Sequence, residues 1–172
     1  MTEPAAPAAR PLLGPEHVAM IDRGVSAIVA SRDAALRPSL MRAVGSTITP
    51  DGSEITVFLA RSQSRQLLQD LAATGQIAVV FSRPTTHRTV QVKGRGINGR
   101  PASADDLPAL QRYLEAMEYE ICSIGHTAAI VRAMLAFDLQ DLVAISFTPV
   151  EAFDQTPGPK AGSALPAAEA AP

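Results

Sequence analysis

The chain has 172 residues, 47% hydrophobic and 19% charged, which suits one globular domain with a sizeable core. A net charge of −2, no Trp and 4% aromatics exclude a global electrostatic drive toward duplex nucleic acid and aromatic platforms for single strands. The lone cysteine, Cys122, excludes an intrachain disulfide and a cysteine-based zinc site, and His17, His87 and His126 form no metal-type cluster.

Residues 1–13 are broken by three prolines and lack the apolar run of a secretory leader. They are expected to be a disordered tail, and the protein to be cytoplasmic. A short helix follows over Glu16–Arg23, then a strand from Val25 to Ala30 and a second over Arg37–Thr47. Pro50-Asp51-Gly52-Ser53 is a hairpin turn leading into a third strand, Glu54–Ala60. Ser62–Ala73 reads as a helix, with Gly75 just past its end as a left-handed stop. Gln76–Ser82 is a fourth strand and Thr86–Ile97 a long fifth one. Ser103 caps the next helix, whose apolar stripe runs Leu107, Leu110, Leu114, Met117. A further helix covers Thr127–Phe137, and Leu142–Phe153 is the last strand. Residues 156–172 are rich in Pro, Ala and Gly, with little to bury, and are expected to be a second disordered tail. The ordered domain then spans 14–155. Antiparallel strands with a helix between the third and fourth, and helices before the last, define a small β-barrel of the α+β class.

Gly94-Arg95-Gly96-Ile97-Asn98-Gly99 spells the G-x-G-x-x-G of a dinucleotide turn, but its surroundings are wrong for one. Val90 and Val92 alternate with Gln91, Lys93 and Arg95, the period of a half-buried antiparallel strand rather than a buried parallel one. Arg100-Pro101 follows where a helix should open on the phosphates. The glycines therefore mark a bulge or bend in a long strand. Cys122 and His126 are four apart, but Gly125 intervenes and no acid orients the pair, which argues against a nucleophilic role.

The cluster Arg61, Ser62, Ser64 and Arg65 stands where a strand ends and a helix begins. Free amides and the helix dipole favour anions there, and guanidinium and hydroxyl donors suit a phosphate. The bland alternative is a capping serine beside solvated arginines. Arg42, Arg88 and Lys93 add cations on strands that a barrel brings alongside, and these too suit either a phosphorylated ligand or a salt-bridged surface.

Taken together, Val57–Gly94 (VFLARSQSRQLLQDLAATGQIAVVFSRPTTHRTVQVKG) resembles the FMN-binding split β-barrels related to pyridoxamine 5′-phosphate oxidase. Ser64-Arg65 falls on that family's S-R pair, Phe81 on its strand-ending Phe, and Arg88-Thr89-Val90 through Gly94 on its R-x-V-x-x-x-G. Met41-Arg42-Ala43-Val44 resembles its R-x-V strand. The resemblance covers about residues 16–153 and implies a six-stranded antiparallel split barrel with peripheral helices, assembled as a homodimer with FMN at the subunit interface. By the same resemblance Arg65 and Ser64, with Gln66 beside them, meet the FMN phosphate. Arg42, Ala43, Val44 and Gly45 flank the flavin, Leu59 and Ala60 line it, and Arg88 and Thr89 approach across the dimer.

Three positions depart from the pattern: Gln66 replaces a lysine, Leu59-Ala60 a Tyr-Thr pair, and Thr89 a glutamine. The implied function is an FMN-dependent oxidoreductase acting on a small molecule. The sequence leaves open a deazaflavin or haem in the same cleft, and a cofactor-free binding dimer. Pyridoxamine 5′-phosphate itself is not the expected substrate, because Leu142–Phe153 carries no Arg or His to meet its phosphate. No catalytic acid, base or nucleophile stands out, and neither nucleic acid nor a membrane is an expected partner.

Overall fold

The computed structural model describes residues 12–166. Its elements are α1 (Pro15–Arg23), β1 (Ser26–Arg32), β2 (Pro38–Arg42), β3 (Gly45–Ile48), β4 (Ile55–Ala60), α2 (Arg65–Thr74), β5 (Ile77–Ser82), β6 (Thr89–Pro101), α3 (Leu107–Ser123), α4 (Ala128–Met134) and β7 (Leu142–Asp154). The seven strands form one antiparallel sheet in the order β2-β1-β5-β6-β7-β4-β3. The sheet curls without closing, since the edge strands β2 and β3 do not pair with each other.

The expected second strand, Arg37–Thr47, is two strands. At Ala43-Val44 the chain leaves one half of the barrel for the other. Ala43 N–H donates to Ala27 O (2.9 Å) on β1, and Val44 N–H to Phe58 O (2.9 Å) on β4. The two halves differ in burial, with β2 exposed or half-buried throughout and β3 mostly buried, but no run of turn residues separates them in the sequence.

Long strands β6 and β7, of 13 residues each, pair along most of their length and form the spine. One half of β6 carries β5, β1 and β2, and β4 and β3 hang from the start of β7. The alternation in β1, β5 and β6 points Ala27, Val29, Val79, Phe81, Val90 and Val92 into the barrel. Helix α2 adds Leu67 and Leu71 to this core from adjacent turns of one face. Gly75, in a left-handed conformation (φ 64°), ends it as the sequence indicates.

Helix α3 packs on the far side of β3 and β4. Its buried face is Leu110, Tyr113, Met117 and Glu120. That face is rotated from the expected stripe, because Leu107 is exposed and Leu114 only partly covered. Leu110 meets Val44, Phe58, Ala60, Leu142 and Ala144. Gly45 allows that close contact, since a Cβ there would stand 2.7 Å from Leu110 Cδ2 and the leucine would have to shift.

Both ends of the chain differ from their expected disorder where they are described. Leu13 is buried and Leu12 packs beside it, while residues 1–11 lie outside the described part. After β7 the chain doubles back: Ala164 bridges to Phe153, Leu165 N–H donates to Ala152 O (2.8 Å), and the Leu165 side chain packs against the core. Backbone hydrogen bonds from and to Asp154 and the single apolar Leu165 together dock this Pro/Ala-rich segment. Residues 167–172 lie outside the described part. No helix among the described residues is long and apolar enough to cross a membrane.

Candidate functional site

The expected site residues fall into three groups. The first surrounds the start of α2. Strand β4 ends at Ala60, and the chain turns through Gln63 N–H to Ala60 O (3.2 Å) and Ser64 N–H to Arg61 O (3.2 Å) into the helix. Arg61 and Arg65 are exposed, and neither has an acid within 4.0 Å among the described residues. Ser64 is the N-cap residue but makes no capping bond, and its Oγ is buried without a partner. An uncapped helix start with two unpaired guanidiniums is an anion-binding arrangement.

Two neighbours are already engaged. Gln66 Nε2 donates to Asp70 Oδ1 (2.9 Å), whose other oxygen accepts from Ser39 Oγ (2.6 Å). Asp70 thus ties α2 to β2, and Gln66 is engaged with it within the helix. Ser62 donates through its amide (3.0 Å) and its hydroxyl to the Asp141 carboxylate. Asp141 is a residue sequence reasoning missed. It sits 79 positions away, and only the β4–β7 pairing brings it there.

The second group is Arg42, Ala43, Val44 and Gly45. Arg42, half-buried at the end of β2, donates from Nη1 to Ser26 Oγ (2.8 Å). The other three are buried, under Leu110 on the Val44–Gly45 side. Tyr113, on the same face of α3, is buried with no hydrogen-bond partner for its hydroxyl, and burial pushes its pKa well up. Leu59 points into the barrel core, and Ala60 is covered by the same α3 contact.

The third group, Arg88 and Thr89, stands at the opposite end of the β6–β7 spine from Ala60. No hydrogen bond or ion pair joins Arg88 or Thr89 to Arg65 among the described residues. Arg88 pairs with Glu16 (2.9 Å), and its hydrogen bond holds the Glu16 carboxyl below the usual range. Thr89 is satisfied internally by Ser82 Oγ (2.8 Å), His87 O (2.9 Å) and Thr156 Oγ1 (3.1 Å). His17 lies beside them with its Nδ1 buried and unpartnered, and burial lowers its pKa. The cavity between these residues is about 110 Å³, below the size of ordinary ligand pockets.

The loop carrying Arg88 is anchored from α3. Glu120, whose side chain is 1% exposed, accepts from Arg83 Nε (2.8 Å), Thr85 N–H (3.1 Å) and the Thr85 hydroxyl. Burial opposes its charge most strongly of any single influence, but these three donors together hold the carboxyl below its ordinary value. Glu120 was legible in the sequence only as an acid in a helix.

No protein-family model matches the chain, and no curated protein matches its sequence. Its fold does match solved structures. An F420 reductase is 17% identical with a TM-score of 0.54, covering 78% of this chain and 93% of its own. A candidate pyridoxamine 5′-phosphate oxidase from Lactobacillus delbrueckii is 13% identical with a TM-score of 0.52, covering 82% and 93%. The Group A Streptococcus protein HupZ is 16% identical with a TM-score of 0.51, covering 87% and 99%. The chain therefore has the open split-barrel fold of the pyridoxamine 5′-phosphate oxidase-like proteins.

Proposed function

We propose that the protein is a homodimeric, FMN-binding split-barrel oxidoreductase acting on a small molecule other than pyridoxamine 5′-phosphate. The observation that carries this reading is the start of α2, with exposed, unpaired Arg61 and Arg65, no capping bond, and an orphaned Ser64 hydroxyl. This donor set fits a phosphate. Arg65 and Arg61 hold it, and the first-turn amides of α2 complete the cradle. Bound FMN supplies the redox chemistry, and the chain's task is to position it and exclude water.

The ring end is constrained by the same structure. Ala43, Val44 and Gly45 are buried, so within one chain the side chain left to meet the ring from this strip is Arg42. The remaining contacts then come from a second subunit, whose Arg88 and Thr89 are the residues that the family resemblance brings across the dimer. The outer face of β2, β1, β5 and the end of β7 supports such a dimer. Ile28, Ala30, Val80 and Phe153 are only half-buried there, and Leu40 is 63% exposed.

A second reading, a dimer of this fold without a cofactor, is favoured by the closure of the Ala43–Gly45 strip and by Asp141 on Ser62. The fold shared with an F420 reductase supports a deazaflavin as the alternative cofactor. Titrating FMN into the purified protein, followed by flavin fluorescence, separates these readings. Saturable quenching at one FMN per subunit supports the proposal. Absence of binding supports the cofactor-free dimer. A deazaflavin or haem absorption spectrum in the purified protein replaces FMN with that group.

A further inference from the structure

The GRG stretch of β6 has a consequence separate from the α2 site. Strand β6 shifts register at Lys93/Gly94 and again between Arg95 and Asn98. Gly94 is fixed by packing, since a Cβ there would stand 2.1 Å from Phe147 Cδ2, and Gly96 adopts a positive φ of 65°. The bend leaves a cleft of about 340 Å³ on the outer face of the sheet, within the range of small-molecule sites. Ala30 and Ala78, adjacent in register with Lys93, line it with short side chains.

Its charged lining is one-sided. Arg32 from β1 and Lys93 and Arg95 from β6 face a single acid, Glu151, which is already paired with Lys93 at 3.1 Å. Lys93 is also held over the Phe153 ring at 4.6 Å. No acid lies within 4.0 Å of Arg32 or Arg95 among the described residues. The cleft thus carries two uncompensated guanidiniums on a chain whose net charge is −2. None of the residues of the α2 site lines it.

We propose that the cleft between β1, β5, β6 and β7 binds a compact polyanionic small molecule bearing phosphate groups, gripped by Arg32, Lys93 and Arg95. Two planar forks and an ammonium on neighbouring strands match an anion with several oxygens. The site shares no residue with the α2 cradle, and through Ala30 and the Lys93–Phe153 contact it borders the face offered to the proposed dimer, so the inference rests on that dimer leaving the cleft open. A solvated basic surface would show no saturable, residue-specific binding.

Calorimetric titration of the intact protein with inorganic pyrophosphate at low salt tests it, with citrate as the carboxylate counterpart. Saturable sub-millimolar binding of pyrophosphate is expected, with citrate about tenfold weaker or more. Arg32→Ala and Arg95→Ala should each weaken pyrophosphate by about tenfold or more, as for loss of a charge-assisted hydrogen bond. Arg65→Ala removes pyrophosphate bound at the start of α2 and should leave unchanged the cleft's own isotherm, the one that Arg32→Ala and Arg95→Ala weaken. All variants should keep the wild-type circular dichroism and melting temperature, since both arginines are surface groups. Lack of saturation overturns the site, as does wild-type affinity in both cleft variants or a loss confined to Arg65→Ala. Equal binding of citrate overturns the assignment to phosphate.

Discussion

Replacing Glu120 by Gln tests the anchor that ties the β5–β6 loop to α3. The carboxylate accepts three hydrogen bonds from Arg83 and Thr85 at a site 1% exposed. Glutamine keeps one acceptor oxygen and turns an N–H₂ toward a donor, so at least one partner is left unpaired. Hydrogen bonds to a charged group contribute about 1.5–3 kcal/mol, and Arg83, partly exposed, contributes toward the lower end. A loss of about 2–3 kcal/mol in unfolding free energy is expected at pH 7.

The loss should depend on pH with a defined sign. The folded carboxyl lies below its ordinary 4.5, so its stabilisation is fully present above that value and disappears as pH falls through the lower folded value. Gln does not titrate, and the gap between variant and wild type should therefore narrow in acid. Urea unfolding followed by circular dichroism, at pH 7 and at about pH 3.5, measures both. A loss below about 0.5 kcal/mol at pH 7, or one of the same size at both pH values, would refute the reasoning.

Other outcomes follow from the same contacts. Deleting residues 161–172 removes Leu165 from the core and should cost about 1 kcal/mol, seen as a fall of about 2–4 °C in melting temperature; an unchanged melting temperature would show that the doubled-back segment holds nothing. Gly94→Ala forces Phe147 out of place and should cost about 1–3 kcal/mol by denaturant unfolding, against a negligible effect if the strand simply shifts. The FMN-loaded protein should not consume oxygen with pyridoxamine 5′-phosphate, because β7 carries Glu151 and hydroxyls but no Arg or His. Turnover on the order of 1 s⁻¹ would contradict that.

Local pattern made much of the fold legible. Alternation at Val90 and Val92, the turn at Asp51-Gly52, the apolar face of α2 and the stop at Gly75 each follow from short-range sequence. What was not legible depends on partners distant in sequence. Nothing within Arg37–Thr47 reveals that Ala43 bonds to β1 while Val44 bonds to β4. Of the expected α3 stripe only Leu110 and Met117 are on the buried face, and nothing local showed that Leu110 would close the Val44–Gly45 side of the strip. Asp141 on Ser62 and Glu120 on Thr85 are likewise long-range acceptors with no local signature. The donors at α2 were legible because a helix start concentrates them within five residues. The Arg32–Lys93–Arg95 cleft was not, because register across three strands creates it.

The central claim is that the start of α2 holds the phosphate of a flavin, and comparing FMN with riboflavin against Arg65→Ala tests it most directly. The two ligands differ by that phosphate alone. Titrations of wild type and variant, followed by flavin fluorescence, should show FMN weakened by about 1.5–3 kcal/mol, or roughly tenfold to a hundredfold. Riboflavin affinity should not change. Equal losses for both ligands, or unchanged FMN affinity in the variant, would contradict the account.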